Sequence, residues 1–218
     1  MPQPNQFRWR KTDESIFLAH CPNHAEQFLF YARIYTIGQG YTFSETNNLI
    51  LNLKKSPQAP PTQLYYKRQA ICRFAQEVIS LFQAQLSLAR LITLVPMPPS
   101  KERSHPAYDD RMEQVAEAIA AEFDNMKWLP LLQATGSRAS SHLRSSRRNP
   151  DEIYQLMQID QAEADRYRTG SMIALIDDIL TSGAQFATAR RRLAEVFPAA
   201  DVIGIFWAKA VSANDFLQ

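Results

Sequence analysis

The sequence predicts an α/β fold with a parallel sheet, and two features of its pattern indicate this. Three short apolar runs have the length and composition of strands covered on both faces, and they occupy residues 91–95, 172–176 and 202–207. Segments with an apolar residue at every third or fourth position precede or separate these runs, at residues 68–88, 112–123 and 186–196. Alternation of buried strands with amphipathic helices is typical of a parallel sheet with helices packed on it.

The beginning of the chain has a less regular pattern. Aromatic and β-branched residues predict short strands at residues 16–19 and 28–37. Ser44 can cap a short helix, because its hydroxyl can accept a hydrogen bond from a backbone amide of the first turn. The proline-rich segment 56–62 then predicts a loop, because proline removes a backbone donor and fixes the backbone.

Proline and aspartate residues mark the ends of the later elements. Pro96 ends the first core strand, and either Asp109 or Asp110 is available to cap the helix that follows. Further strands are predicted at residues 128–132, where Pro130 interrupts the run, and at residues 153–159.

Composition limits the classes of function. The 218 residues are 45% hydrophobic and carry 24 basic and 22 acidic side chains, so the protein is no polycation and net charge does not predict nucleic acid binding. Two distant cysteines make neither a disulfide framework nor a four-cysteine zinc site. No apolar stretch approaches the ~20 residues that span a bilayer, and the first residues lack a signal peptide core. We expect a cytoplasmic protein with no membrane partner.

Two adjacent carboxylates, Asp177 and Asp178, follow the buried run 172–176. Ligands of open α/β sheets bind at the carboxyl ends of the strands, which is where these side chains are predicted to lie. Two neighbouring negative charges repel each other, so a partner should offset them. Sugar hydroxyls that donate hydrogen bonds and a divalent cation both meet that need.

A turn of small and hydroxyl-bearing residues, Thr181 to Ala184, leads directly into the last helix. Such a turn lets backbone N–H groups approach a phosphate, and the helix terminus adds a favourable potential. Gly183 permits backbone conformations that other residues resist. Carboxylates followed by a phosphate-binding turn would suit a ribose 5-phosphate. An ordinary helix cap at a strand end is the alternative interpretation.

The segment 173–185, with the sequence IALIDDILTSGAQ, resembles the phosphoribosyl pyrophosphate signature of type I phosphoribosyltransferases. The resemblance implies that Asp177 and Asp178 hold the ribose hydroxyls and contact Mg²⁺ indirectly, through the substrate. It also implies a 5-phosphate site formed by Thr181, Ser182, Gly183, Ala184 and Gln185. Gln185 stands where the family commonly has threonine.

Weaker features are similar to the ComF branch of that family: Val95 to Pro98 at the end of the first core strand, and Leu49-Ile50 with Lys54. The zinc ribbon of that branch is missing, and residues 108–111 depart from its usual run. The resemblance implies a Rossmann-like phosphoribosyltransferase core at residues 66–218. Residues 1–65 would then be a small, β-rich N-terminal extension that forms a hood.

The resemblance also assigns two basic loops. Ser100 and Lys101 hold the position of a pyrophosphate-binding loop, although a solvated basic loop is the alternative. Arg144, Arg147 and Arg148 lie in the segment 136–150, which has no acidic residue and resembles the mobile loop that closes over the reaction. Contact with a nucleic acid backbone is a competing but less favoured interpretation, and a plain solvated loop is a third.

The function that the resemblance implies is transfer of ribose 5-phosphate from phosphoribosyl pyrophosphate to a nitrogen base, with Mg²⁺ as cofactor and release of pyrophosphate. Two alternatives stay open: a regulatory module that senses the donor or a nucleotide without turnover, and a ComF-like accessory that handles DNA. The sequence identifies neither the acceptor base nor the oligomeric state, for which a homodimer is one option. Trp207 has two candidate roles, stacking on the base and packing in the core.

Overall fold

A six-stranded, mostly parallel sheet forms the centre of the molecule. The computed structural model describes residues 7–12, 29–85, 90–135 and 150–213. Its strands are β1 (Arg10–Lys11), β2 (Leu29–Thr36), β3 (Ile92–Pro96), β4 (Met126–Trp128), β5 (Leu132–Ala134), β6 (Met157–Ile159), β7 (Met172–Leu180) and β8 (Val202–Val211). The central sheet has the order β1-β2-β8-β7-β3-β4, and every pair in it is parallel except β1 with β2. Strands β5 and β6 form a separate antiparallel pair.

The described part of the chain contains six helices. They are α1 (Glu45–Leu53), α2 (Pro61–Gln85), α3 (Arg111–Ala120), α4 (Pro150–Gln155), α5 (Gln161–Ala164) and α6 (Ala184–Val196). One hydrophobic core joins α1, α2 and α3 to one face of the sheet, and a second core joins α4, α6 and the β5–β6 pair to the other face. The predicted α/β fold with a parallel sheet and covering helices is therefore confirmed.

Several elements match their predictions closely. Strands β2, β3, β7 and β8 form where apolar runs predict them, and α1 begins after Ser44, whose hydroxyl accepts a hydrogen bond from the Asn47 amide. The cap of α3 is only partly as expected. Asp110 holds the N-cap position without a capping hydrogen bond from its side chain, while Asp109 Oδ1 accepts from the Arg111 amide at 3.3 Å.

Three predictions about elements were wrong in part. The strand predicted at 153–159 is helix α4 followed by β6. The strand predicted at 128–132 is divided into the end of β4 and the start of β5, with Pro130 between them. Helix α2 begins at Pro61, inside the predicted loop, because proline is tolerated in the first turn, where its missing N–H has no helical partner. The strand predicted at 16–19 lies outside the described residues.

The described residues before position 66 are integrated with the sheet. Strand β2 pairs with β8 from Leu29 opposite Gly204 to Thr36 opposite Val211, and the proposed boundary at 65/66 falls within α2. A role of this segment as a hood over an acceptor base stays a prediction. Among the described residues, no helix combines the length and the apolar character needed to cross a membrane.

Candidate functional site

The two aspartates of the signature segment lie where β7 extends beyond its neighbour β3. Pro96 pairs with Ile176, and the Met97 amide donates to the Ile176 carbonyl at 2.9 Å. From Asp177 onward β7 stays paired with β8 alone, as far as Leu180. The two aspartates therefore lie within the strand, not after it as predicted, but they still occupy the carboxyl edge of the sheet, beside the loop that leaves β3.

The Asp178 carboxylate contacts two cations. Its Oδ2 accepts from Arg111 Nη2 at 2.7 Å, and its Oδ1 lies 3.3 Å from Lys54 Nζ. Lys54 follows the end of α1 and Arg111 begins α3, so two elements of one layer converge on this side chain. Asp178 is only 5% exposed. An ionised carboxylate at that depth requires such partners, because its desolvation is otherwise costly.

A second pair of charges holds Arg111 in place. Asp109 accepts from Arg111 Nη1 at 2.7 Å and from Lys67 Nζ at 2.7 Å. Lys67 is buried in α2 and also donates to the Lys55 carbonyl at 2.6 Å. Burial lowers the pKa of Lys67, and the hydrogen bond and charge of Asp109 oppose that effect. Five charged side chains thus form one continuous chain of ion pairs in the order Lys67, Asp109, Arg111, Asp178 and Lys54.

The two aspartates have opposite pKa shifts. Burial and the neighbouring Asp178 carboxylate raise the pKa of Asp177 to about 7. Burial alone would also raise the pKa of Asp178, but Lys54 and Arg111 outweigh it and lower that pKa to about 2. The Asp178 amide donates to Asp177 Oδ1 at 2.8 Å, which orients the first carboxyl against the backbone of the second residue. Near neutral pH, Asp178 is ionised and Asp177 can gain or lose a proton.

The turn after β7 presents unpaired backbone donors. Gly183 has φ 77° and ψ −6°, a left-handed conformation that favours glycine, and it forms the N-cap of α6. The amides of Ser182 and Gly183 donate to no acceptor in the described part of the chain, and Ser182 Oγ accepts only weakly from Ala184 N, at 3.5 Å. Thr181 and Ser182 are exposed, Ala184 is buried, and Gln185 is half-buried at the start of the helix. This geometry is the one that an anion-binding turn requires.

The predicted basic loops are only partly described. Ser100 and Lys101 follow β3 at the same carboxyl edge and are half-buried, and their predicted contact with pyrophosphate stays a prediction. Arg103, in the same loop, pairs with Glu113 at 2.6 Å. The segment with Arg144, Arg147 and Arg148 lies outside the described residues, so neither the closing-loop role nor the nucleic acid role is tested.

Trp207 belongs to the core. It is fully buried, its ring stacks on Phe74 with centroids 4.8 Å apart, and its Nε1 donates to Glu77 Oε2 at 2.7 Å. A base therefore has no access to this ring. Of its two candidate roles, core packing is the correct one.

The ion pairs that lead to Asp178 were not predicted from the sequence. Lys54 appears there only as a family feature and Asp109 only as a helix cap, while Lys67 and Arg111 have no predicted role. One signal was available, because Asp109 and Arg111 belong to the loop and helix that follow the first core strand, and such loops lie at the carboxyl edge where Asp177 is also predicted. The contribution of α1 and α2 depends on packing between distant segments, which a local pattern does not contain.

A magnesium ion bound by the protein alone does not fit this arrangement. Magnesium requires several oxygen ligands in a regular octahedron, whereas both oxygens of Asp178 already contact cations. Within the described ranges, no group of three or more histidine, cysteine, aspartate or glutamate side chains is placed to hold a metal. An indirect role of Mg²⁺ through the substrate stays a prediction.

Comparison with known proteins gave matches among solved structures. No family model matches the chain, and no curated protein matches it. A Saccharomyces cerevisiae adenine phosphoribosyltransferase, complexed with an imino-altritol bisphosphate and adenine, is 17% identical with a TM-score of 0.39, over 68% of this chain and 75% of that one. Another adenine phosphoribosyltransferase is 14% identical with a TM-score of 0.42, over 82% and 92% of the two chains.

A third similar structure is the adenine phosphoribosyltransferase of Trypanosoma brucei, in complex with AMP, pyrophosphate and ribose-5-phosphate. It is 9% identical with a TM-score of 0.43, over 84% of this chain and 83% of that one. Because identity and TM-score are low in all three cases, the case for a function depends on the residues of this chain.

Proposed function

We propose that the protein binds phosphoribosyl pyrophosphate at the carboxyl edge of β7 and transfers its ribosyl phosphate group to a nitrogen base. One observation carries the proposal: a pair of carboxylates and a turn with unpaired amides lie in one continuous segment, Asp177 to Ala184. The carboxylates suit the hydroxyls of a ribose, and the turn suits its 5-phosphate. A single ligand that carries both groups would contact both parts of this segment.

The reaction needs no covalent intermediate with the protein. The bond between ribose C1 and pyrophosphate breaks, its electron pair leaves with pyrophosphate, and a lone pair of the acceptor nitrogen forms the new bond to C1. The proton that this nitrogen loses passes to the departing pyrophosphate. The protein contributes by orientation and by charge. Ser182 and Gly183 amides would hold the 5-phosphate, Asp177 would accept from a ribose hydroxyl, and Lys101 would lie near the departing pyrophosphate. Magnesium enters this proposal only as a counterion carried by the donor.

The proposal is tested by measuring how a variant without the two carboxylates binds phosphoribosyl pyrophosphate. Asp177→Asn combined with Asp178→Asn should weaken the binding of phosphoribosyl pyrophosphate roughly 100-fold or more, because charged hydrogen bonds to the ribose are lost. Titration calorimetry in the presence of magnesium measures the affinity. Asp201→Asn is the matched control, because Asp201 lies before β8 at the opposite edge of the sheet and pairs with Arg90. Equal affinity of the double variant and the wild type would refute the proposal.

The second candidate is a module that senses phosphoribosyl pyrophosphate without turnover. It is favoured by the two ion pairs that occupy both oxygens of Asp178. A side chain held by two ion pairs is not ready to contact a sugar, so binding could serve a conformational signal instead of catalysis. The two candidates are distinguished by incubating the protein with the donor, magnesium and a panel of nitrogen bases. Release of pyrophosphate supports the transferase, and tight binding without release supports the sensor.

A further inference from the structure

The chain of ion pairs from Lys67 to Lys54 closes the site against the ribose that Asp178 is proposed to bind. Each oxygen of Asp178 contacts a different cation, at 2.7 Å from Arg111 and 3.3 Å from Lys54. With Asp178 only 5% exposed, a diol cannot reach this carboxylate while both contacts persist. A ligand that uses Asp178 must therefore displace the two cations.

Each of the two cations has a property that Lys67 lacks. Among the described residues, the Lys54 ammonium forms an ion pair with Asp178 alone, and its side chain is 22% exposed. Arg111 Nε is buried and donates to no acceptor within the described residues, so this guanidinium has an unused donor. Lys67, in contrast, is fixed by both Asp109 oxygens and the Lys55 carbonyl.

A phosphate-containing group is a suitable new partner for these cations. The planar guanidinium grips two phosphate oxygens at once, and pyrophosphate offers more acceptor oxygens than a carboxylate does. An anion bound between Lys54 and Arg111 would draw them away from Asp178 and leave that carboxylate free to accept from sugar hydroxyls. The anion replaces the interaction that each cation loses.

We propose that Lys54 and Arg111 bind the pyrophosphate group of the donor, and that they exchange their ion pairs with Asp178 for this contact. The inference rests on the proposed function and adds to it a selection rule. A ligand with a diol and one phosphate binds weakly, because Asp178 stays closed. A ligand that also carries the second anionic group opens the site. Binding of the two groups is then positively coupled, and by linkage each raises the affinity for the other to the same degree.

The experiment separates the two groups into two molecules. Ribose 5-phosphate is titrated into the protein by calorimetry, first without and then with saturating inorganic pyrophosphate, at one fixed magnesium concentration. In the wild type, pyrophosphate should raise the affinity for ribose 5-phosphate at least about 5-fold, the lower range of coupling between sites. Equal affinity in the two titrations would overturn the inference, although the proposed function would survive.

Variants identify the residues responsible. Lys54→Met with Arg111→Gln should bind ribose 5-phosphate with nearly the same affinity whether or not pyrophosphate is present. Lys55→Met is the matched control, because Lys55 is the next residue but its ammonium faces the rings of Tyr41 and Tyr66. Full coupling in the double variant would overturn the assignment to these two residues.

A single variant and one further binding result distinguish failure of this inference from failure of the proposed function. Lys54→Met alone removes one contact and leaves Asp178 paired with Arg111, so it tests the coupling if the double variant does not fold, and it should reduce the coupling. A protein that binds neither ribose 5-phosphate nor phosphoribosyl pyrophosphate would instead refute the proposed function, and the inference with it.

Discussion

Asp177 and Asp178 are neighbours in the chain, yet folding gives them different acid–base behaviour. Asp178 has two cations within ion-pair distance, and Asp177 has burial and a negative neighbour. Pairs of carboxyl groups with separated pKa values are common where one must stay charged and the other must exchange a proton. Here the charged member contacts the cations, and the member that titrates near pH 7 is the first residue of β7 beyond its pairing with β3.

The raised pKa of Asp177 has a consequence for stability. Its folded pKa of about 7 exceeds the unfolded value of 3.8, so the folded protein binds the extra proton between these two pH values. The stabilisation is complete below pH ~4 and is lost as the pH rises through ~7. Asparagine does not titrate, so Asp177→Asn does not lose stability in this way as the pH rises. The stability of the variant relative to the wild type should therefore increase, on the order of 2–4 kcal/mol, when the pH is raised from 5 to 8.

Urea denaturation at the two pH values measures this difference. The lowered pKa of Asp178 acts in the opposite sense, but its contribution is lost only as the pH falls from about 4 towards 2, outside the window. Asp201→Asn serves as the control for removing an exposed carboxylate at the other edge of the sheet. A stability difference between Asp177→Asn and wild type that does not change with pH would contradict the pKa shift.

At the scale of elements, a buried ion pair joins β2 to α2. Arg33 is 1% exposed and donates to both oxygens of Glu77, at 2.9 and 2.7 Å. The same carboxylate accepts from Trp207 of β8, so one residue of α2 is bonded to two strands of the sheet. The pair fixes the position of α2, from which Lys67 extends to the site.

Glu77→Ala should destabilise the protein by about 3–5 kcal/mol, because it leaves the Arg33 guanidinium buried with one carboxylate fewer. Arg73→Ala is the matched control. It removes a partner of the same Glu77 from an exposed position, 48% accessible, and should cost less than about 1 kcal/mol. Chemical denaturation of the two variants gives both values. A loss below about 1 kcal/mol for Glu77→Ala would show that the buried pair does not hold the helix in place.

The elements that the sequence predicted well are those whose own residues determine them. The apolar run at 92–96 has the composition of a buried strand, and Ser44 caps a helix through a local hydrogen bond. The error at 153–159 came from reading spaced apolar residues as a strand. Pro150 at the start and two acidic residues in the first turn are signals for a helix there, since both favour helix N-termini.

The site was predictable in part for the same reason. The signature segment Asp177 to Ala184 is contiguous, so its turn and its left-handed glycine follow from local sequence. Asp178 forms ion pairs with Arg111, which is 67 positions away in the chain, and with Lys54, which is more than 120 positions away. The sequence does not state which cation reaches which carboxylate. Nor does it state that β7 continues past the aspartates, because pairing with β8 is what extends the strand.

At the scale of the whole molecule, stability should be distributed according to position in the sheet. Strands β7 and β8 each have a neighbour on both sides and are largely buried, whereas β1 has two residues at an edge. Hydrogen exchange followed by mass spectrometry should find the slowest amides in β7 and β8 and faster exchange in β1 and in the β5–β6 pair. Equal protection of β5–β6 and β8 peptides would contradict this order.

The pairing of β2 with β8 also constrains how the protein can be made. Leu29 is synthesised 175 residues before its partner in β8, Gly204. A strand that waits this long has an open edge, and contacts between such distant segments slow folding. The sheet therefore cannot close between β2 and β8 until β8 has been synthesised, and until then this edge of β2 is open to pairing with other strands.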